Sequence, residues 1–262
     1  MDIERTGKKM VQPFGYWILN PYVDYDIITA DDIHITVVFR IASLEFCSHM
    51  GRRIEGRKGK EKGNYKMKRE ISMEQRTHSI IEACAREKET NPLAIFRHVA
   101  GQDFVRIHGP EHHVLDGACL LTALHHAGME FDLPEQLNRL RQEGLQMPGA
   151  ICGHWGVCGA VASVGAALAL LEGTGPLTTD SSWGSHMTYT ARALANLAAI
   201  GGPRCCKRDA FTALKTAIPY VKERFGIDLP EERTVCGFYL RNQQCLGKRC
   251  PYNPEHQAVA AR

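Results

Sequence analysis

The sequence has no run of 18 apolar residues. Its longest uncharged helical stretch, Gly156 to Leu171, is too short to cross a bilayer, so no membrane association is expected. The opening residues Met-Asp-Ile-Glu-Arg-Thr-Gly-Lys-Lys lack the apolar core of an export signal, which makes a reducing cytoplasm the expected compartment. There is no Walker loop and no Gly-x-Gly-x-x-Gly after a strand, so no nucleotide cofactor is expected. A broad positive field is also missing from the main body. Residues 1–72 hold 13 Lys and Arg against 10 Asp and Glu, whereas residues 73–262 hold 19 of each. That balance argues against nucleic acid as a partner. No internal repeat is detectable, and a hydrophobic content of 44% with 23% charged residues is that of an ordinary folded chain.

What the sequence does have is ten cysteines. Closely spaced thiols in a reducing compartment are more often metal ligands or redox groups than structural disulfides. Their setting is predominantly helical. Residues 1–72 read as an irregular N-terminal extension with one candidate strand, Ile33 to Ile41, and a Gly/Lys/Arg-rich flexible linker over about 51–72. From Met73 the apolar residues fall at helical spacing, predicting helices over Met73–Glu89, Pro92–Ala100, His108–Gly128, Pro134–Glu143, the apolar run to Leu171, His186–Ile200 and Lys207–Phe225. The expected fold is mainly α: a multi-helix array over 73–230, followed by a short cysteine-rich knuckle over 231–262.

Four clusters carry residue types suited to chemistry. The loop Pro148 to Gly159 holds Cys152, His154 and Cys158 among glycines, immediately before a helix whose free N–H groups favour thiolate. Gly201 to Asp209 repeats that layout, with Cys205 and Cys206 flanked by Arg204, Lys207 and Arg208, cations that also favour thiolate. His112 and His113 open the long third helix, where an imidazole facing the other two loops can ligate a metal or carry a proton. Near the C-terminus, Cys236, Cys245, Cys250 and His256 stand in the pattern C-x8-C-x4-C-x5-H, with Gly and Pro turns able to wrap one tetrahedral ion. The Cys250-Pro251 ending equally suits an iron–sulfur ligand set completed by a thiol from elsewhere.

The segments Gly109-Pro-Glu-His-His-Val-Leu115, Pro148-Gly-Ala150 with Cys152 to Gly159, Gly201 to Arg208, and Asn242-Gln-Gln-Cys-Leu-Gly-Lys-Arg-Cys-Pro251 together resemble domain-of-unknown-function family 5714, over about residues 75–256. The resemblance implies a cytosolic protein of the kind found in anaerobic bacteria and archaea, with radical-SAM or methyltransferase modules as partners, and implies no particular activity. Where relatives tend to show Gly-Gly before the first cysteine, this chain has Ala150-Ile151. Two readings stand side by side. In one, Cys152, Cys158, Cys205 and Cys206, with His112 or His113, form a thiolate site that holds an iron–sulfur cluster or performs redox or sulfur-handling chemistry. In the other, zinc on Cys236, Cys245, Cys250 and His256 staples a non-catalytic helical module that docks a protein or, less readily, RNA stacked on Phe238 and Tyr252.

Overall fold

The helices that open at Met73, Pro92 and Leu133 begin where the sequence supplies a side-chain partner for the unpaired N–H groups of a first turn. In the computed structural model, which describes residues 70–260, Ser72 Oγ accepts the Gln75 N–H while Gln75 Oε1 accepts the Ser72 N–H, a reciprocal box that opens α1, Met73–Arg86. Asn91 Oδ1 accepts from Leu93 and Ala94, with Pro92 at the first position of α2, Pro92–Ala100. Asp132 caps α4, Leu133–Gln146, in the same way. The remaining helices are α3, His112–His126; α5, Ile151–His154; α6, Gly159–Glu172; α7, Ser182–Ile200; α8, Cys206–Phe225; and α9, Pro254–Ala260. Two 3-10 turns, Tyr239–Arg241 and Gly247–Arg249, precede α9. The chain is thus mainly α among the described residues. The candidate strand Ile33 to Ile41 and the basic linker lie outside them.

Helix α3 is the axis of the array, buried on every face from His112 to Leu124 and packed by α1, α2, α4, α6 and α8. A helix apolar all round is a core helix. Its closest neighbour is α6, and Gly117 makes that approach possible. The Gly117 N–H donates to Ser163 Oγ at 2.9 Å, and a Cβ at Gly117 would lie 2.4 Å from the Ser163 carbonyl oxygen. The segment after α8 has little apolar content, yet it is fastened to the core. Phe238 and Tyr252 are buried against the Phe96 and Phe211 rings, and the Thr212 and Tyr252 hydroxyls are hydrogen-bonded at 2.9 Å. Among the described residues, no helix is long and apolar enough to cross a membrane.

One boundary differs in a way that shapes the site. Helix α3 starts at His112 rather than His108, because Gly109 and Pro110 form a turn closed by the His112 N–H on the Gly109 carbonyl. Inside that turn the fully buried Glu111 carboxylate accepts from the Arg106 backbone N–H at 2.7 Å and pairs with its guanidinium at 2.6 Å. The first turns of α3, α6 and α8 consequently meet around one space.

Candidate functional site

Cys205 and Cys206 are neighbours in sequence, but they face different cavities. Cys205, the residue before α8, lines a narrow cavity together with Cys236, Cys245 and Cys250. Three of the four sulfurs accept a backbone N–H from two or three residues downstream, and the fourth has one facing it. Arg208 donates to Cys205, Phe238 to Cys236 and Gly247 to Cys245, each at 3.4 Å, and the Tyr252 N–H faces Cys250. Asn242 Nδ2 adds a further donor to Cys205 at 3.2 Å. Such donors spread negative charge away from sulfur and are what metal-bound thiolates require.

Two buried cations border the same cavity, Lys207 and Arg208, only 1% and 5% exposed. The Lys207 ammonium lies 5.0 Å from the Phe238 ring centre, donates to the Arg106 carbonyl at 3.0 Å and lies 3.1 Å from His112 Nε2. An ammonium only donates, so Nε2 accepts and His112 Nδ1–H is left to face Asp116 Oδ1 at 3.4 Å. Burial holds the His112 imidazole well below its ordinary pKa and lowers that of Lys207 to about 8. Negative charge at Asp116 and Glu111 acts against that lowering. Arg208 Nε pairs with Asp209 Oδ1 at 3.1 Å and Nη2 donates to the Pro203 carbonyl, whereas Nη1 is buried without a partner.

His256 does not line this cavity. It sits on α9 with Nδ1 2.8 Å from the Lys248 carbonyl, and Cys205 occupies the fourth side. Among the described residues no three or more His, Cys, Asp or Glu side chains are arranged so that they could hold a metal ion.

On the other side of the α8 start is a chamber of about 270 Å³. Cys152, Cys158, Cys206, His112 and His113 all line it, drawn from the first turns of four helices. The expected union of Cys152, Cys158, Cys205 and Cys206 is therefore split, with Cys205 facing the other cavity. Cys158 Sγ donates to Asp209 Oδ2 at 3.6 Å. His113 is held against the Met147 carbonyl, Nδ1 to oxygen 3.3 Å, and its ring lies where a Cβ on Gly159 would be 2.0 Å from Cδ2. Only glycine fits there.

The expectation that helix starts and cations favour thiolate here is reversed. Burial pushes Cys205 up to about 11 and Cys206 up to about 12, and burial followed by the Asp209 charge raises Cys158 further. Losing water costs the thiolate more than the helix ends return. Next to the chamber, a groove of about 860 Å³ shares Cys152, Cys158, Arg204 and Asp209 with it, and has Leu194 and Leu197 of α7 as its apolar side. Ala150, at the junction of the two, has φ 65°, the single positive φ outside glycine among the described residues. Sequence assigned no role to Asp209 or Asn242, whereas the departure from Gly-Gly at Ala150-Ile151 marks the strained alanine. For Asp209 the available signal was its place, one helical turn beyond Cys205.

A family profile described as a family of unknown function (DUF5714) matches residues 80–253. The chain belongs to the DUF5714 family. The match takes in every residue that lines the four-thiol cavity and the chamber, and it stops before His256. No curated protein and no solved structure matches this DUF5714 chain.

Proposed function

We propose that this DUF5714 protein is a metal protein whose centre is held by four thiolates, Cys205, Cys236, Cys245 and Cys250, and that the centre is an iron–sulfur cluster. The observation that carries the reading is the donor set: four cysteines on one cavity, each sulfur facing a backbone N–H, with Lys207 and Arg208 buried alongside. Four thiolates around a metal group carry a net negative charge, and two buried cations compensate it. Burial raises the Cys205, Cys236 and Cys250 thiols above their ordinary range, and metal binding would displace their protons. The hydrogen-bond donors on the sulfurs and the buried cations beside them favour a cluster over zinc. When bound, a cluster supplies one-electron redox chemistry at a potential set by burial and hydrogen bonding to its sulfurs.

Zinc is the second reading, favoured by the narrowness of the cavity, which has room for roughly one water molecule. Anaerobic purification separates the two. Brown protein with iron, sulfide and absorption near 400 nm is the expected result, lost in Cys205→Ser and Cys245→Ser and retained in Cys206→Ser and His256→Ala. Colourless protein with one zinc per chain would overturn the cluster. Protein with neither metal after reconstitution would overturn the centre altogether.

A further inference from the structure

The chamber beyond Cys206 stands apart from the four-thiol cavity, and its electrostatics are unbalanced. Two arginines line it. Arg106 is neutralised by Glu111, and the one carboxylate of the chamber, Asp209, is held by Arg208. Arg204, which is exposed and borders both chamber and groove, is left without a carboxylate partner among the described residues. Helices α3 and α6 begin beside the chamber and add the partial positive charge of their ends to that of Arg204, while the first N–H groups of α3 are bonded to the Gly109, Pro110 and Glu111 carbonyls. A second, independent feature lies on the groove: Arg208, 95% withdrawn from solvent at 5% exposure, lines it and has a buried Nη1 that donates to nothing. An unpaired guanidinium nitrogen of this kind is costly unless an acceptor arrives.

We propose that chamber and groove together form a binding site for a small molecule carrying an oxyanion group. The acid group would lie at Arg204 and Arg208, the uncharged part against Leu194 and Leu197 of α7, and the reacting end over the thiols of Cys152, Cys158 and Cys206. The shared volume suits a ligand of metabolite size. Arg208 borders both sites, but this inference is read at Arg204 and at Cys152, Cys158 and Cys206, none of which belongs to the four-thiol centre, so the two fail separately.

The test uses the full-length protein as isolated, with two alkylating probes of nearly equal size, anionic iodoacetate and neutral iodoacetamide. Labelling at each cysteine is followed by peptide mass spectrometry, with fully buried Cys84 as background. Taking the ratio of the two rates cancels differences in thiol reactivity. The iodoacetate-to-iodoacetamide ratio at the chamber thiols is expected to exceed that of free glutathione by about ten-fold at low salt, as one nearby cation of partial exposure would produce. It should fall towards the glutathione value in Arg204→Gln, whose exposed side chain leaves the core untouched. Acetate and inorganic phosphate are then added as competitors. Protection by one or both supports the site and assigns its acid as carboxylate or phosphate. A ratio equal to that of glutathione, a ratio unmoved by Arg204→Gln, protection by neither anion, or no labelling of the three thiols by either reagent would each overturn it.

Discussion

Replacing Asn242 tests how the C-terminal segment is held to the helices. Its side chain is 7% exposed and makes three bonds: Nδ2 to Cys205 Sγ at 3.2 Å, the Gln244 N–H to Oδ1 at 2.9 Å, and His108 Nε2 to the same oxygen at 2.9 Å. In Asn242→Ala, water reaches the exposed Gln244 and limits that loss to about 0.5–1 kcal/mol. His108 loses more. Its Nδ1 is already buried without a partner, so removing the Nε2 contact leaves the ring unsatisfied at a cost of about 1–3 kcal/mol. The expected total is about 1.5–4 kcal/mol, equivalent to about 3–16 °C in melting temperature for a domain of this size. Asn242→Asp separates the effects. It keeps the oxygen for His108 and Gln244 but replaces the sulfur's donor with an acceptor, so it should melt close to wild type and bind metal more weakly. Calorimetry and metal analysis on the three proteins provide the readout. If Asn242→Ala melts within 2 °C of wild type, the residue does not fasten the segment. If Asn242→Asp retains metal as firmly as wild type, the bond to Cys205 has no part in the centre.

Gly117→Ala should destabilise by about 1–3 kcal/mol in urea titration despite its gain in helix propensity, because the added Cβ meets the Ser163 backbone, which cannot move alone; equal stability would mean that α3 and α6 are less closely packed. Ala150→Gly should stabilise by about 0.5–1 kcal/mol, since φ 65° costs alanine more than glycine's extra chain entropy; a lower melting temperature would contradict this. Burial lowers the His113 pKa, so below its ordinary value of 6.5 the unfolded chain takes up a proton that the folded chain does not. The sign is therefore fixed: stability falls with pH below about 6.5, by up to about 1.4 kcal/mol per unit. Subtracting the melting curve of His113→Gln from that of wild type between pH 7.5 and 5 isolates this contribution, and a flat difference would refute it.

The helical plan was legible wherever caps and periodicity agreed. Asn91-Pro92 marked the start of α2 to the residue, and the uncharged stretch after Cys158 marked α6. The start of α3 was misread because Glu111 serves Arg106 across a turn, a tertiary pairing with no local signature. The division of Cys205 from Cys206 follows from helix geometry, in which successive residues diverge by about 100°. Which thiol would join the C-terminal cysteines depended on how the chain after Phe225 folds back, and periodicity does not record that. The direction of the thiol shifts was missed for a different reason. Sequence displays the charges beside Cys205 and Cys206 but not the loss of solvent around them, and loss of solvent dominates.

The thiols Cys205 and Cys206 of the two cavities are joined by one peptide bond. Between the Cα atoms of Cys205 and Cys206 lies a planar unit about 3.8 Å long, set in the first turn of a 20-residue helix and unable to bend within itself. A displacement of one sulfur is therefore transmitted to the backbone that carries the other. If occupancy of the chamber alters the grip of the four thiols, linkage requires that loading the four thiols alter the grip of the chamber by the same factor. The α8 start is one route by which such coupling would pass, beside the Lys207–His112 and His108–Asn242 contacts.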